Sequence, residues 1–250
     1  MLSARLATLT LLSLSAMTAA QEIPAGTVIP IMLGSTVNAK KDKAGKKITG
    51  QVMQDVPMPD GGRIKERSPI TGQIVRVDKP GSSGSSVVLR FETIEDRGHS
   101  MELTAALLAV ASMTSVADAQ SRINNSPNSD PITQWVTRQV GGDVVNRGRG
   151  KAGTSTGVIG RWLQGSSVII RLTPNPDAGC PEGPGYDRDQ AVWIFSSGAC
   201  GTYSLGDLKI SKTGRTQPLG DITLTSAKNI AIRAGSGWML IVVANSESSH

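Results

Sequence analysis

Histidine and aromatic side chains are scarce in this 250-residue chain. Its two histidines are His99 and His250, and Phe, Trp and Tyr together make up 3% of the residues. A Ser–His–Asp hydrolase needs a histidine base, and the chain contains no Gly-x-Ser-x-Gly sequence. Zinc sites usually draw on several His or Cys ligands. We therefore expect no such catalytic triad and no metal site, and interpret His99 as an exposed turn residue.

No apolar run is long enough to span a bilayer, which takes about 20 residues. The N-terminus has the three parts of a secretory signal peptide instead. A start with one positive charge, Arg5, is followed by an apolar run over residues 6–14 and by small residues at 18–20. We predict cleavage after Ala20 and export to the periplasm or the extracellular space, with association with the outer membrane left open.

Only two cysteines are present, Cys180 and Cys200. In an exported protein a single pair more often forms a disulfide than a redox or metal site. A bond across this 20-residue separation would contribute about 3 kcal/mol to stability through loop closure. The sequence therefore predicts a Cys180–Cys200 disulfide, with two free thiols as the alternative.

One glycine pattern imitates a nucleotide-binding motif. Residues 148–153 match G-x-G-x-x-G, which binds dinucleotides only after a strand, before a helix and with an acid about 20 residues further on. Gly157 and Gly160 disfavour the helix, and Thr173 stands at the position of the acid. We interpret this segment as a loop and expect no cofactor.

Glycine is abundant, with 28 residues, and apolar residues recur at every second position between residues 23 and 111. Period-two alternation over short segments predicts half-buried strands, and glycine-rich turns separate them. The alternating sets include Ile29, Ile31 and Leu33, then Ile48, Val52 and Val56, and then Val87, Leu89 and Phe91. The sequence predicts an all-β fold whose N-terminal domain is a small barrel or sandwich.

The alternation is lost over residues 112–160, which we interpret as a long flexible surface insertion. It returns at residues 168–172 and again after a proline- and glycine-rich stretch. The predicted organisation is a signal peptide (1–20), a β domain with the insertion (21–173), a linker (174–189), a smaller C-terminal β domain (190–245) and a tail (246–250).

Five lysines fall within eight positions of the N-terminal domain: Lys40, Lys41, Lys43, Lys46 and Lys47. This cluster is typical of a solvated hairpin loop, which is the interpretation we favour. With a chain net charge of +6, the same five lysines are also the candidate contact for an anionic lipid surface or envelope polymer. The scarcity of aromatic stacking partners weighs against nucleic acid.

Residues 23–30, Ile-Pro-Ala-Gly-Thr-Val-Ile-Pro, resemble the opening of the conserved region in TrbI-like scaffold proteins of conjugation and type IV secretion channels. Further features follow in the order of that family. They are Asn38, Gly45, Val52, Asp55 and Val56, then Ile64, Ser68 and Gly72, and then Val88 to Phe91 before the turn at 96–98.

The resemblance covers about residues 23–105 and departs from the family in places. Lys65 and Arg67 replace a Pro and a Gly, and Phe91 stands where Trp is usual. The membrane span and proline-rich reach of the channel scaffolds are missing. The resemblance implies a β-barrel-like envelope module, and no family is recognised in the C-terminal part.

These features favour a non-enzymatic, exported binding or scaffold protein of the bacterial envelope. Its partner would be an envelope protein or an anionic polymer or lipid surface, and its oligomeric state is open. One alternative is a secretion-channel component, which would form rings. The other is a hydrolase of wall polymer or polysaccharide that uses paired carboxylates, with Asp187, Asp189, Asp207 and Asp221 as candidates.

Overall fold

The computed structural model describes residues 22–121, 135–142, 144–148, 151–154, 157–162, 168–174, 180 and 187–244. The predicted signal peptide and the C-terminal tail lie outside the described residues, as does most of the predicted linker.

The described residues contain twenty strands and one helix. They are β1 (Val28–Leu33), β2 (Val37–Asn38), β3 (Lys47–Val52), β4 (Val56–Pro57), β5 (Arg63–Ile64), β6 (Pro69–Gly81), β7 (Gly84–Asp96), β8 (His99–Glu102), β9 (Ala105–Ala111), α1 (Met113–Gln120), β10 (Trp135–Arg138), β11 (Val144–Gly148), β12 (Lys151–Thr154), β13 (Gly157–Trp162), β14 (Val168–Arg171), β15 (Asp189–Ala191), β16 (Gly201–Tyr203), β17 (Lys209–Lys212), β18 (Ile222–Ser226), β19 (Ala231–Ile232) and β20 (Gly237–Val242). The all-β prediction is confirmed.

The largest sheet is a nearly closed barrel. Its strands run in the order β16-β9-β20-β1-β3-β6-β7-β18-β17, with β8 paired to β7. Neighbours are antiparallel except for β16 and β9. The two end strands of this sheet, β16 and β17, lie close to each other. The Thr202 hydroxyl in β16 donates a hydrogen bond of 3.0 Å to the Leu208 carbonyl, just before β17.

The alternating apolar residues fill the barrel. Phe91 and Trp238 are fully buried and meet edge to face, with ring centroids 5.8 Å apart. Around them pack branched side chains from most barrel strands, which include Ile29, Ile31, Leu33, Ile48, Ile70, Ile74, Leu89, Leu107, Ile222, Leu224 and Leu240. Period-two alternation therefore identified the inward faces of the barrel strands.

A second sheet of six antiparallel strands, β10 to β15 in chain order, packs with α1 against the outside of the barrel. Its apolar side chains form a separate cluster with residues on the outer faces of β1, β9 and β20. This cluster includes Val28, Leu108, Met239, Ile241, Val168, Ile170, Trp193 and Phe195. Because β9 and β20 are covered on both faces, every residue in them is buried.

The strands of the barrel come from both sides of residue 173, where the sequence predicted a boundary between two domains. Strands β16, β17, β18 and β20 come from the predicted C-terminal domain but pair within the barrel, and β20 lies between β1 and β9. Described parts of the predicted flexible insertion form α1 and β10–β13, while residues 122–134 lie outside the description. The reason is that alternation marks a strand without specifying its partner.

The helix in the described part of the chain, α1, lacks the length and apolar character needed to cross a bilayer.

Candidate functional site: the cationic end of the barrel

The predicted lysine cluster lies on the loop from β2 to β3, which Asn38 organises. The backbone N–H groups of Lys41 and Asp42 both donate to the Asn38 carbonyl, at 3.1 and 2.8 Å. The Asn38 side chain accepts from the Lys40 N–H at 3.0 Å. The Asp42 carboxylate accepts from the Asn38 N–H at 2.7 Å. Such Asx-type hydrogen bonds fix a turn locally, so the loop presents its lysines in a defined arrangement.

Lys46 has a structural role that separates it from the other four lysines. Its Nζ donates to the Thr36 carbonyl at 2.6 Å and to Asp42 Oδ1 at 2.9 Å. Within the described residues, Lys40, Lys41, Lys43 and Lys47 form no ion pair, and all four side chains are exposed. These four are therefore the members of the cluster that remain available to a partner.

Sheet register brings further cations to the same end of the barrel. The Lys40 N–H also donates to Asn229 Oδ1 at 3.0 Å, so the β18–β19 loop with Lys228 lies beside the lysine loop. The β6–β7 hairpin ends here too, because Ser85 is opposite Ser226. We name this surface the cationic end. Its loops and strand ends carry Lys40, Lys41, Lys43, Lys46, Lys47, Arg76, Lys79, Lys209, Lys228 and Arg233, against the carboxylates of Asp42, Asp78 and Asp207.

The opposite end of the barrel is acidic. Its loops and strand ends carry nine carboxylates, from Glu22, Asp55, Asp60, Glu66, Glu92, Glu95, Asp96, Glu102 and Asp221. They face seven cations, Arg63, Lys65, Arg67, Arg90, Arg97, Lys212 and Arg215. Ten cations against three carboxylates at one end, and seven against nine at the other, give the barrel a charge asymmetry along its axis. Such a field directs anions toward one end.

Two acidic-end carboxylates hold the turn before β6. Asp55 accepts from the Glu66 N–H at 3.0 Å, from Lys65 Nζ at 3.0 Å and from Arg63 at 3.3 Å. Asp96 accepts from the Lys65 N–H at 3.0 Å and the Ser68 hydroxyl at 2.8 Å. Burial alone would raise the pKa of Asp55, but the hydrogen bonds from Glu66, Lys65 and Arg63 outweigh it and lower the pKa below 3.8.

This lowered pKa makes the contribution of Asp55 to stability dependent on pH. A carboxyl with a folded pKa below its unfolded value contributes fully above the unfolded value, and its contribution is lost as pH falls through the folded one. We expect Asp55→Asn to lower the free energy of unfolding by about 1 kcal/mol at neutral pH. This difference from wild type should shrink below pH 3.8. Urea unfolding from pH 7 to pH 3 measures both, and a difference independent of pH would contradict the assignment.

At the cationic end, a cavity of about 590 Å³ lies between the β6–β7 hairpin and the adjoining ends of β17 and β18. It is lined by Asp78, Lys79, Ser83, Gly84, Ser85, Ser86, Asp207, Lys209, Thr225, Ser226 and Ala227. The Ser226 hydroxyl donates to Asp207 at 3.0 Å and lowers the pKa of that carboxyl. Asp207 therefore stays ionised, whereas the acid of a glycosidase needs a raised pKa.

Of the carboxylates named for a hydrolase, Asp207 and Asp221 lie toward opposite ends of the barrel, whereas Asp187 and Asp189 are near neighbours in the second sheet. Asp207 is at the cationic end and Asp221 is toward the acidic end, where Arg90 contacts it. Asp187 and Asp189 lie at the start of β15 in the second sheet, and Asp189 is 3.7 Å from Arg161. In the described part of the chain, no group of three or more His, Cys, Asp or Glu residues is placed to hold a metal ion.

Cys180 and Cys200 lie within disulfide distance, with Cα atoms 5.8 Å apart, as predicted. Both belong to the apolar cluster between the second sheet and the barrel. The bond therefore links the chain after β14 to the chain just before β16, where it re-enters the barrel.

Sequence reasoning found the lysine loop but missed its neighbours. Lys228 and Asn229 are about 190 positions away along the chain, and Lys79 and Lys209 lie in segments with ordinary composition. Only the pairing of β18 with β7, and of β19 with β2, brings them to the lysine loop. Single-sequence patterns carry no signal for such pairing.

A scan against models of protein families finds no match for the chain, and a search of curated proteins finds none either.

Proposed function

We propose that this protein is an exported, non-enzymatic binding protein of the bacterial cell envelope that holds an anionic polymer against the cationic end. The observation that supports it most is the concentration of ten cations and three carboxylates on the loops of one barrel end. A surface of this kind raises the local concentration of a polyanion and speeds its association.

The lysine loop is the centre of this proposed interface. Its turn is held by Asn38, Asp42 and Lys46, so binding would not require ordering of the backbone. The exposed lysines are flexible point charges that suit a polymer with repeated negative groups. Their interactions with it would weaken with salt, since the Debye length falls to about 8 Å at physiological ionic strength.

A polymer fits this surface better than a lipid bilayer does. Peripheral membrane proteins usually combine basic residues with apolar side chains that insert among the headgroups. Across the described residues, the exposed large apolar side chains are Val75 and Met113 alone. The cationic end therefore offers charge with little apolar surface.

Charge reversal on the lysine loop tests the proposal. We expect the triple variant Lys40→Glu, Lys41→Glu, Lys43→Glu of the mature chain to bind polyphosphate about 100-fold more weakly than wild type at low salt, at roughly 1 kcal/mol for each lysine removed. Calorimetric titration at low and at physiological ionic strength measures the affinity and its salt dependence.

The matched control reverses three cations of the acidic end, with Arg67→Glu, Arg97→Glu and Arg215→Glu. It changes the net charge equally but leaves the cationic end intact, so its affinity should stay within a few-fold of wild type. Equal losses in the two triple variants would show that only net charge matters and would contradict a localised site. Failure of the wild type to bind polyphosphate would contradict the proposed function itself.

A further inference from the structure

Four polar residues form one row across the outer face of the barrel at its cationic end. Asp78 on β6 pairs with Ser86 on β7, Ser86 pairs with Thr225 on β18, and Thr225 pairs with Lys209 on β17. Directly paired residues point to the same face of a sheet, and all four line the same cavity. The row therefore runs from a carboxylate through two hydroxyls to an ammonium group.

The next row on this face has a cation at each edge. Arg76 on β6 pairs with Val88, Val88 pairs with Thr223, and Thr223 pairs with Lys212 on β17. The β17 edge of the strip therefore carries two lysines, whereas the β6 edge carries Arg76 at 3.6 Å from the Asp78 carboxylate. Because adjacent strands are about 4.8 Å apart, the β6 and β17 edges are separated by roughly 14 Å. This width suits one extended polymer chain lying along the strands.

The middle hydroxyls are available for a ligand. Ser86 and Thr225 are half-buried, and their hydroxyls have no hydrogen-bond partner within the part of the chain that the structure describes. Lys79 and Lys209 are exposed and form no ion pair with any described residue. By contrast, Ser85 donates to the Lys228 carbonyl, and Ser226 donates to Asp207.

The walls of the cavity are fixed by close backbone packing. Gly84 has a φ of +88°, and a Cβ there would lie 2.2 Å from the Ser226 carbonyl oxygen. Only glycine allows the hairpin to approach β18 this closely while its backbone adopts the left-handed region. The hydroxyl row is therefore held on two strands in mutual contact, which favours a preformed site.

We propose that this hydroxyl row is a subsite for one sugar unit of an acidic polysaccharide, a refinement that rests on the proposed function. The carboxylate of Asp78 accepts from sugar hydroxyls, while the Ser86 and Thr225 hydroxyls donate or accept. Lys79 and Lys209 pair with the acid group of the sugar. No aromatic ring lines the cavity, so a neutral sugar would lack the stacking surface that an aromatic side chain provides.

The test compares two polyanions on the mature chain: polygalacturonate, which carries hydroxyls and carboxylates, and polyphosphate, which carries charge without hydroxyls. We expect the double variant Ser86→Ala, Thr225→Val to bind polygalacturonate about tenfold more weakly, at about a factor of three for each lost hydrogen bond. Its affinity for polyphosphate should stay within twofold of wild type. The matched control is Thr71→Val, Thr93→Val, which removes a hydroxyl pair, 2.6 Å apart, toward the acidic end.

The outcomes separate the two proposals. A selective loss of polygalacturonate binding in the Ser86→Ala, Thr225→Val variant, with none in the control, supports the sugar subsite. Unchanged affinity for both polymers, or an equal loss for both, shows that the row does not form hydrogen bonds with sugar hydroxyls. Either result overturns the subsite alone. A wild type that binds polyphosphate but not polygalacturonate also overturns the subsite alone, and one that does not bind polyphosphate overturns the proposed function. Thermal unfolding of each variant confirms that the compared proteins are folded.

Discussion

Replacement of Trp238 by alanine is expected to lower the free energy of unfolding by about 4 kcal/mol, the largest loss that we predict for a single substitution in this chain. The indole is fully buried and contacts Phe91 edge to face at the centre of the barrel. Its Nε1 donates to the Ser236 hydroxyl, itself 1% exposed, at 2.9 Å. The substitution removes a large apolar group, opens a cavity and leaves a buried hydroxyl without its donor.

Urea unfolding of the mature chain with its disulfide intact measures this change. Trp238→Phe should cost less than half as much, because it keeps most of the apolar volume and loses only the hydrogen bond and part of the ring. Met113→Ala is the surface control, since Met113 is 45% exposed, and its effect should stay within about 0.5 kcal/mol. A loss for Trp238→Ala no greater than that for Met113→Ala would contradict the position of the indole in the core.

Replacement of Gln54 by leucine is expected to lower the free energy of unfolding by about 3 kcal/mol. Gln54 is fully buried where the second sheet meets the barrel. Its Nε2 donates to the Val168 carbonyl at 3.1 Å, and its Oε1 accepts from the Trp193 N–H at 2.5 Å. Leucine fills a similar volume but leaves the Trp193 N–H buried without a partner, which costs about 1–3 kcal/mol. It also removes one of two hydrogen bonds that the Val168 carbonyl accepts, since the Val192 N–H still donates to it at 3.1 Å.

Gln51→Leu is the matched control, three positions earlier in the chain. The Gln51 side chain is half-buried and makes no hydrogen bond to any of the described residues, so this substitution should change stability by less than about 0.5 kcal/mol. Protease susceptibility distinguishes how Gln54→Leu acts. Faster cleavage within residues 135–171, with the barrel still protected, would show that the second sheet detaches first. Equal stability of the two variants would contradict a role for Gln54 as a connection between the sheets.

Gln190 also connects the two sheets, but its side chain extends from the second sheet to backbone groups of the barrel. It extends from β15 in the second sheet, donates through Nε2 to the Gly26 carbonyl at 3.1 Å and accepts from the Val28 N–H at 3.0 Å. Neither Gln54 nor Gln190 stands out in the sequence, because a glutamine among apolar residues is indistinguishable from a surface glutamine in a half-exposed strand. Their importance follows from the backbone groups that the packing of the second sheet buries.

Local patterns in the sequence predicted the strands well and their partners poorly. Residues such as Ile29, Ile31 and Leu33 alternate because one face of β1 is the interior of the barrel. The pairing of β1 with β20 joins residues about 200 positions apart, and alternation contains no record of it. The same limit applies to the cationic end, where the lysine cluster was visible as a run but Lys209 and Lys228 were not.

Residues 112–160 show that amino-acid composition also failed to predict secondary structure in one part of the chain. Glycine and short polar side chains led to the prediction of a flexible insertion, yet described parts of it form α1 and strands β10–β13. A meander of short strands that packs on one face needs few apolar residues per strand, and within this range Val140 and Val145 provide part of that face. Propensity was overridden by tertiary packing.

The position of β20 has a consequence for when this protein folds. β20 pairs with both β1 and β9, so β1 lacks one of its two neighbouring strands until nearly the whole chain has been synthesised. Ribosomes deliver residues at about 5–20 per second, so β1 spends seconds without that neighbour. Contacts so distant along the chain also make folding slow. Until β20 is made, the barrel cannot close around β1, and the apolar side chains that fill it in the finished protein lack part of their packing.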